Sequence, residues 1–306
     1  MTIARNFIGL VAIFAGLSAC NGAEVDSAEG SVLATPAAAA TPTVVQAPPP
    51  SPEPMGPANF IFNGELTQGG WIRGQVPART VSARLGEQEL SLDDQGKFFA
   101  AFDRDTGSNV TLSALLANGT TQDVRLSISP RKWNIQHVNV ARRKQRNAEA
   151  YWKVREPEYN AIVAARAKQT NADGWRQDFI WPVKGRISGR FGRQRVYRGE
   201  PGSYHSGLDI APGNGVPFVS PADGVVVLAR TGFSLEGGLI IIDHGAGLNS
   251  AFLHASKLGV TEGQSVRQGQ YIGNVGSTGR STGPHLHWGL KWNDARIDPL
   301  LFVGPQ

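Results

Sequence analysis

Cysteine is nearly absent from this chain of 306 residues, Cys20 being the only one. That excludes an internal disulfide framework, a Cys-rich structural zinc finger and an iron–sulfur cluster. Long apolar runs are as scarce: beyond the N-terminus no stretch is long enough to span a bilayer as a helix. Helical bundles are also disfavoured, because 37 Gly and 19 Pro punctuate the chain with turns. What remains is a chain with 41 % hydrophobic residues and a formal net charge of +5. Its length suits two compact domains plus connecting sequence.

Residues 1–19 read as a signal peptide. Arg5 supplies the positive n-region, and Phe7 to Gly16 forms an apolar h-region too short for a transmembrane span. Leu17-Ser18-Ala19-Cys20 resembles a bacterial lipoprotein cleavage site, which implies lipidation of Cys20 as the first mature residue. Several acyl chains on one cysteine give stable anchoring. Asn21 stands where an Asp would favour inner-membrane retention, so the outer membrane is favoured over the inner one. The expected place is the cell envelope, lipid-anchored on the periplasmic side, which makes nucleic acid an unsuitable partner.

Residues 20–58 form the next segment. From residue 21 it holds 8 Pro and 9 Ala and lacks Lys, Arg and aromatics. Such composition cannot bury enough surface to offset ordering entropy, so a disordered Ala/Pro-rich tether is expected. Residues 59–130 alternate short apolar runs with turn signals, as in a small antiparallel β-sandwich with strands at Val81–Leu85, Lys97–Phe102, Val110–Leu115 and Asp123–Ile128. Phe98, Phe99 and Phe102 read as its core. Residues 131–178 form a basic helical connector, whose part up to residue 168 carries 10 Lys+Arg against 3 Glu. Helix is permitted from Asn139 to Lys168, with a break expected at Pro157. Its basic face suits anionic phospholipid, an anionic cell-wall polymer, or water alone.

From residue 179 to 306 the pattern is Gly-punctuated β-structure, with buried-strand runs at Val225–Leu228, Leu239–Ile242 and Gln270–Val275. A compact antiparallel barrel or sandwich follows. Five of the chain's six histidines fall here: His205, His244, His254, His285 and His287. Such clustering marks a candidate metal site. His205 and Asp209, four apart, share a face on either a helix or a strand. His285 and His287 flank Leu286, so on a strand both imidazoles project to one side. These four candidates are one more than an open hydrolytic zinc site uses, and the spare imidazole could serve as general base. His254 could share that role.

The H-x-x-x-D, the separate His254 and the H-x-H resemble, in order, the signatures of lysostaphin-type (LytM-domain) zinc metallopeptidases, a family of peptidoglycan endopeptidases. The resemblance extends through Phe191-Gly192, Ser220 to Val225, Asp243-His244-Gly245 and Gly276 to Trp288, covering about residues 179–301. It implies the lysostaphin-type β-barrel/sandwich (the duplicated hybrid motif), one Zn2+ per chain held by His205, Asp209 and His287, and catalytic roles for His254 and His285. His244 falls in a segment that is structural in the family. Some members place an oxyanion-stabilising tyrosine ahead of the first ligand, but Tyr197 and Tyr204 are not at the expected spacing. The implied function is hydrolysis of peptide cross-links in peptidoglycan during cell-wall remodelling. The alternative is a non-hydrolytic activator of cell-wall amidases that binds its partner through the same groove.

Overall fold

The computed structural model describes residues 56–141 and 148–306. The expected signal peptide, the Cys20 lipidation site and the tether up to residue 55 lie outside the described residues. Among the described residues no helix is long and apolar enough to cross a membrane.

The first domain is two antiparallel sheets. β1 (Ile61–Gly64), β2 (Trp71–Gln75) and β5 (Lys97–Ala101) make one, in the order β1-β2-β5. β3 (Thr80–Leu85), β4 (Gln88–Glu89), β6 (Asn109–Leu116) and β7 (Thr121–Ser127) make the other, in the order β4-β3-β6-β7. Neighbouring residues on a strand face opposite ways, and β5 uses both directions. Phe98 packs edge-on against Phe60, whereas Phe99 stacks on Trp71 and meets Phe302 from the far end of the chain. Both phenylalanines, and Phe102, are buried.

The connecting segment holds a strand as well as a helix. β8 (Ile135–Val138) pairs in parallel with β10 (Gln194–Tyr197), which also pairs with β11 (Glu200–Pro201). Four residues, Ile-Gln-His-Val, are too few and too polar to announce a strand by periodicity. α1 (Ala148–Arg166) then runs straight through Pro157, contrary to the break expected there. A mid-helix proline costs about 3 kcal/mol. Tertiary anchors on both sides of it offset that cost: Arg155 binds Glu236, and Glu158 binds Ser234.

The C-terminal part consists of β9 (Arg186–Gly189), β12 (Leu208–Ala211), β13 (Pro217–Val219), β14 (Gly224–Phe233), β15 (Gly237–Asp243), β16 (Leu248–Leu253), β17 (Lys257–Leu258), β18 (Ser265–Val266), β19 (Tyr271–Asn274), β20 (Leu286–Trp292) and β21 (Ala295–Ile297). The main antiparallel sheet has the order β18-β14-β15-β16-β20-β12-β9, with β21 on β20, beside a small β13-β19-β17 sheet. Every residue of β15 is buried. A strand buried without alternation needs cover on both faces. Ile240 and Ile242 enter the main core with Phe252 and Trp288. Leu239 and Ile241 face the other way, against Ala161, Ile162 and Ala165 of α1. The register Ile241↔Ala251, Ala251↔Gly289 and Leu253↔His287 puts His287 on the face that α1 covers.

Main-core contacts continue into the first domain. Trp71 lies 5.0 Å from Phe302 and donates its Nε1–H to the Leu301 carbonyl at 2.9 Å. Arg131 reaches the buried Asp298 at 2.7 Å. Deep in the C-terminal core, His244 donates Nδ1–H to the Asp223 carbonyl and accepts from Ser250 Oγ, both at 2.7 Å. Fully satisfied as the neutral imidazole, it is pushed by burial down to about 4.

Two outcomes are expected. Phe302→Ala empties a site shared by Trp71, Phe99 and Phe179, and should cost about 3–5 kcal/mol. Calorimetry should show one destabilised transition; an unaltered midpoint refutes the shared core. For His244, the unfolded chain takes its proton near pH 6.5 and the folded chain only near 4. The unfolded state therefore binds more protons across that window, and stability is lost as the pH drops through it, by on the order of 3 kcal/mol. His244→Gln should flatten the dependence of melting temperature on pH between 7 and 4.5, and equal slopes refute the assignment.

Candidate metal centre

His205 sits in the loop before β12, Asp209 on β12 and His287 on β20, where the pairing Asp209↔His287 sets two of them side by side. His205 Nε2 lies 2.9 Å from Asp209 Oδ1 and 3.0 Å from His287 Nδ1, and His287 Nδ1 lies 2.9 Å from the same Oδ1. Hydrogen bonding alone does not explain this triangle. A ring N–H points in one direction and serves one partner, and the carboxylate has no proton to give. Three lone-pair atoms converging at about 3 Å match one face of a tetrahedral shell, whose ligand atoms stand roughly 3.3 Å apart at zinc bond lengths of ~2.0–2.1 Å. The residues therefore fit a divalent ion with mixed N/O donors, in the three-ligand number of an open site.

The neighbours fix which nitrogens stay bare. His205 donates Nδ1–H to the Arg190 carbonyl at 2.9 Å, leaving Nε2 for the triangle. His254 donates Nδ1–H to the Thr278 carbonyl, and His285 donates to the Gly283 carbonyl, each at 2.8 Å. The His254 and His285 rings lie 4.8 Å apart, and His285 Nε2 is 3.7 Å from Asp209 Oδ1. His205, His287 and His285 thus gather around Asp209 with His254 next to His285, while His244 stays in the core on its own.

Backbone freedom matters at two places. A Cβ on Gly207 would stand 2.6 Å from His287 Nε2, so only glycine lets that ring sit. His254 itself has φ +67°, a left-handed conformation costly for a non-glycine residue. Its N–H bonds the Glu236 carbonyl at 2.8 Å. Glu236 is in turn gripped by Arg155 of α1 through two bonds of 2.7 Å. Sequence reasoning misses this grip, because Arg155 and Glu236 are 81 residues apart and neither belongs to a motif.

Electrostatics follow from burial and partners. Burial alone would raise the Asp209 carboxyl, but bonds from His205 and His287 hold it well below the usual carboxylate range. Burial pushes His205 down, yet Asp209 more than offsets this and leaves it raised. For His287 and His254 burial prevails and both are lowered, favouring neutral rings. Burial raises the Tyr204 phenol, which lies against Arg104 and bonds toward Asp103 at 3.4 Å. Tyr197 and Tyr204 both line the cleft of about 1070 Å³ that opens over His205, Asp209 and His285.

Two imidazoles and a carboxylate with further imidazoles at the rim of a cleft are the kind of donor set that a hydrolytic metal site uses. Residues 203–299 match the model of Peptidase family M23. The chain is 41 % identical over 127 residues to the Peptidoglycan DD-endopeptidase ShyA of Vibrio cholerae, covering 39 % of this chain and 29 % of that protein. It is 36 % identical over 130 residues to a Lipoprotein NlpD/LppB homolog of Pseudomonas aeruginosa, covering 42 % and 40 %. The chain thus spans well under half the length of these curated relatives. A Pseudomonas aeruginosa structure assigned to peptidase M23 superposes with a TM-score of 0.60 at 28 % identity, covering 78 % of this chain and 96 % of that one. That likeness reaches beyond the M23 segment into the preceding domain.

Arg155→Ala should leave the half-buried Glu236 without its cation, at a cost of about 1–3 kcal/mol. Amide exchange at residues 234–238 and at His254 should accelerate, whereas Arg155→Lys should recover part of the protection. Unchanged exchange at His254 refutes the coupling.

Proposed function

We propose that this protein is a zinc metalloendopeptidase that hydrolyses peptide cross-links of bacterial peptidoglycan in cell-wall remodelling, held in the envelope by lipid on Cys20. The supporting observation is the triangle of His205 Nε2, Asp209 Oδ1 and His287 Nδ1 with two more imidazoles beside it. A relative named as a peptidoglycan DD-endopeptidase supports the substrate, and one named as a lipoprotein homolog supports the anchor.

His205, Asp209 and His287 would hold the zinc. When bound, it supplies a Lewis acid and a water acidic enough to ionise near neutral pH. The chain's own part is proton transfer and orientation. With Nδ1–H committed to the Gly283 carbonyl, His285 presents a bare Nε2 that takes the proton of the attacking water. The captured proton passes to the leaving amine as the C–N bond breaks, while His254, pinned through Nδ1 to Thr278 with its ring 4.8 Å from that of His285, stabilises the developing oxyanion when its Nε2 takes up a proton from solvent. The cleft orients the substrate strand across these atoms.

An amidase activator that docks a partner in this cleft is the weaker reading. A docking groove has no need for three imidazoles gathered around one carboxylate with a fourth beside them.

The test is a digest of purified peptidoglycan by residues 56–306, with muropeptides read by mass spectrometry. Cross-linked dimers should disappear, chelation should stop this, and added zinc should restore it. His205→Ala and Asp209→Ala should each lose the metal. His285→Ala should retain metal and lose about 10²-fold or more in kcat. Intact dimers in the presence of metal-loaded protein sink the peptidase reading, and a fully active His285→Ala removes the assigned base.

A further inference from the structure

Arginines elsewhere in the described chain are mostly paired. Arg73, Arg104, Arg131, Arg155, Arg176 and Arg230 each meet an Asp or Glu. The cleft breaks this pattern. Residues 186–204 carry five arginines against one acid, Glu200, and most of that segment lies ahead of the M23-matched residues. β10 carries its centre and is fixed in place by parallel pairing with β8 of the connector, so the wall is built from sequence outside the matched segment.

Arg193 and Arg195 line the cleft on this side. Arg280 lines it from the other, on a loop tied by its N–H to the Leu235 carbonyl at the β14–β15 turn. In the main sheet β20 and β12, with His287 and Asp209, lie between β15 and the edge strand β9, after which the chain leads into Arg193. Among the described residues Asp209 is the only carboxylate lining the cleft, and it is committed to the donor triangle. Among the described residues none of these three arginines forms an ion pair. Arg195 is partly engaged, its Nε–H bonding Gln136 Oε1 at 3.1 Å. Arg193 and Arg280 have no side-chain partner of that kind among the described residues. Planar guanidiniums left free on both flanks of a reaction centre match carboxylates, which they bind with two parallel bonds.

Resting on the peptidase reading and deepening it, we propose that Arg193 and Arg280 are specificity-determining residues that bind free carboxylates of the substrate on either side of the scissile bond. The preferred substrate is then a cross-link whose peptide strands carry ionised carboxylates, in preference to a neutral bridge such as oligoglycine.

The experiment compares two synthetic cross-linked peptide dimers that differ only in free carboxylate versus carboxamide, cleaved by zinc-loaded residues 56–306. The carboxylate dimer should be cleaved with a kcat/KM about 10-fold or more higher, and added salt should narrow the gap. Arg193→Gln and Arg280→Gln should each lower kcat/KM on the carboxylate dimer by roughly 5- to 30-fold, through KM, and lower it markedly less on the carboxamide dimer. Arg→Lys at either position should recover part of the preference, and Arg84→Gln, in the first domain, should alter nothing. Equal cleavage of both dimers by the unaltered protein, or equal losses on both in the variants, overturns the proposal.

Binding of the same dimers to His285→Ala, measured by calorimetry, reads the preference without turnover. Failure of cleavage with carboxylate-selective binding retained would strike the peptidase reading alone. Vesicles of phosphatidylglycerol in phosphatidylcholine provide the remaining arm. If the glutamine variants lose vesicle binding while peptide preference is unchanged, the wall is a lipid-facing surface and the carboxylate assignment is wrong.

Discussion

Two imidazole nitrogens and one carboxylate oxygen are held within about 3 Å of one another by His205, Asp209 and His287. Left to themselves, such groups would separate or take up protons. Much of the surrounding structure serves to prevent that. The Arg190 carbonyl fixes the His205 tautomer, strand pairing fixes the spacing of Asp209 and His287, and Gly207 leaves room for the His287 ring. The same device recurs at the rim, where His254 and His285 are each committed through Nδ1 to a backbone carbonyl. Backbone carbonyls in a rigid sheet move little, so the ring orientations are set before any substrate arrives.

That rigidity comes from covering the sheet on both faces. The main core occupies one face, and α1 covers part of the face that bears His287. Arg155 and Glu158 add directional bonds to that packing and fix the turn whose carbonyl holds His254 in its left-handed conformation. The connector is thus part of the frame of the site. β8 extends the argument to the cleft, because its pairing with β10 places the arginine-rich segment beside the donors. The first domain joins the same body through Trp71, Phe99 and Phe302.

Much of this was legible in the sequence, and for local reasons. Runs such as Leu239–Ile242 announce a strand buried on both faces, because alternation is missing where both faces are covered. Strand geometry converts spacing into direction, which carries the H-x-H pair into the structure; the H-x-x-x-D pair depends instead on the loop before β12 that bears His205. Pro157 shows the limit of local rules: helix propensity argues for a break, and contacts from Arg155 and Glu158 to residues more than 70 positions away override it. β8 was invisible because four residues carry no period, and its parallel partner lies 59 residues later.

By itself the sequence determined the class of β-structure, the set of histidines and carboxylate able to gather, and the excess of arginine between residues 186 and 204. Each is a property of composition or short-range spacing, which the backbone's fixed periods turn into geometry. Only the tertiary structure decided which nitrogen of each imidazole stays bare, that α1 bears on the same face as His287, and that the arginines of one segment and Arg280 border one cleft. Those are contacts between residues far apart in the chain. They are set by register, packing and hydrogen-bond direction in the folded body, none of which any short stretch of sequence contains.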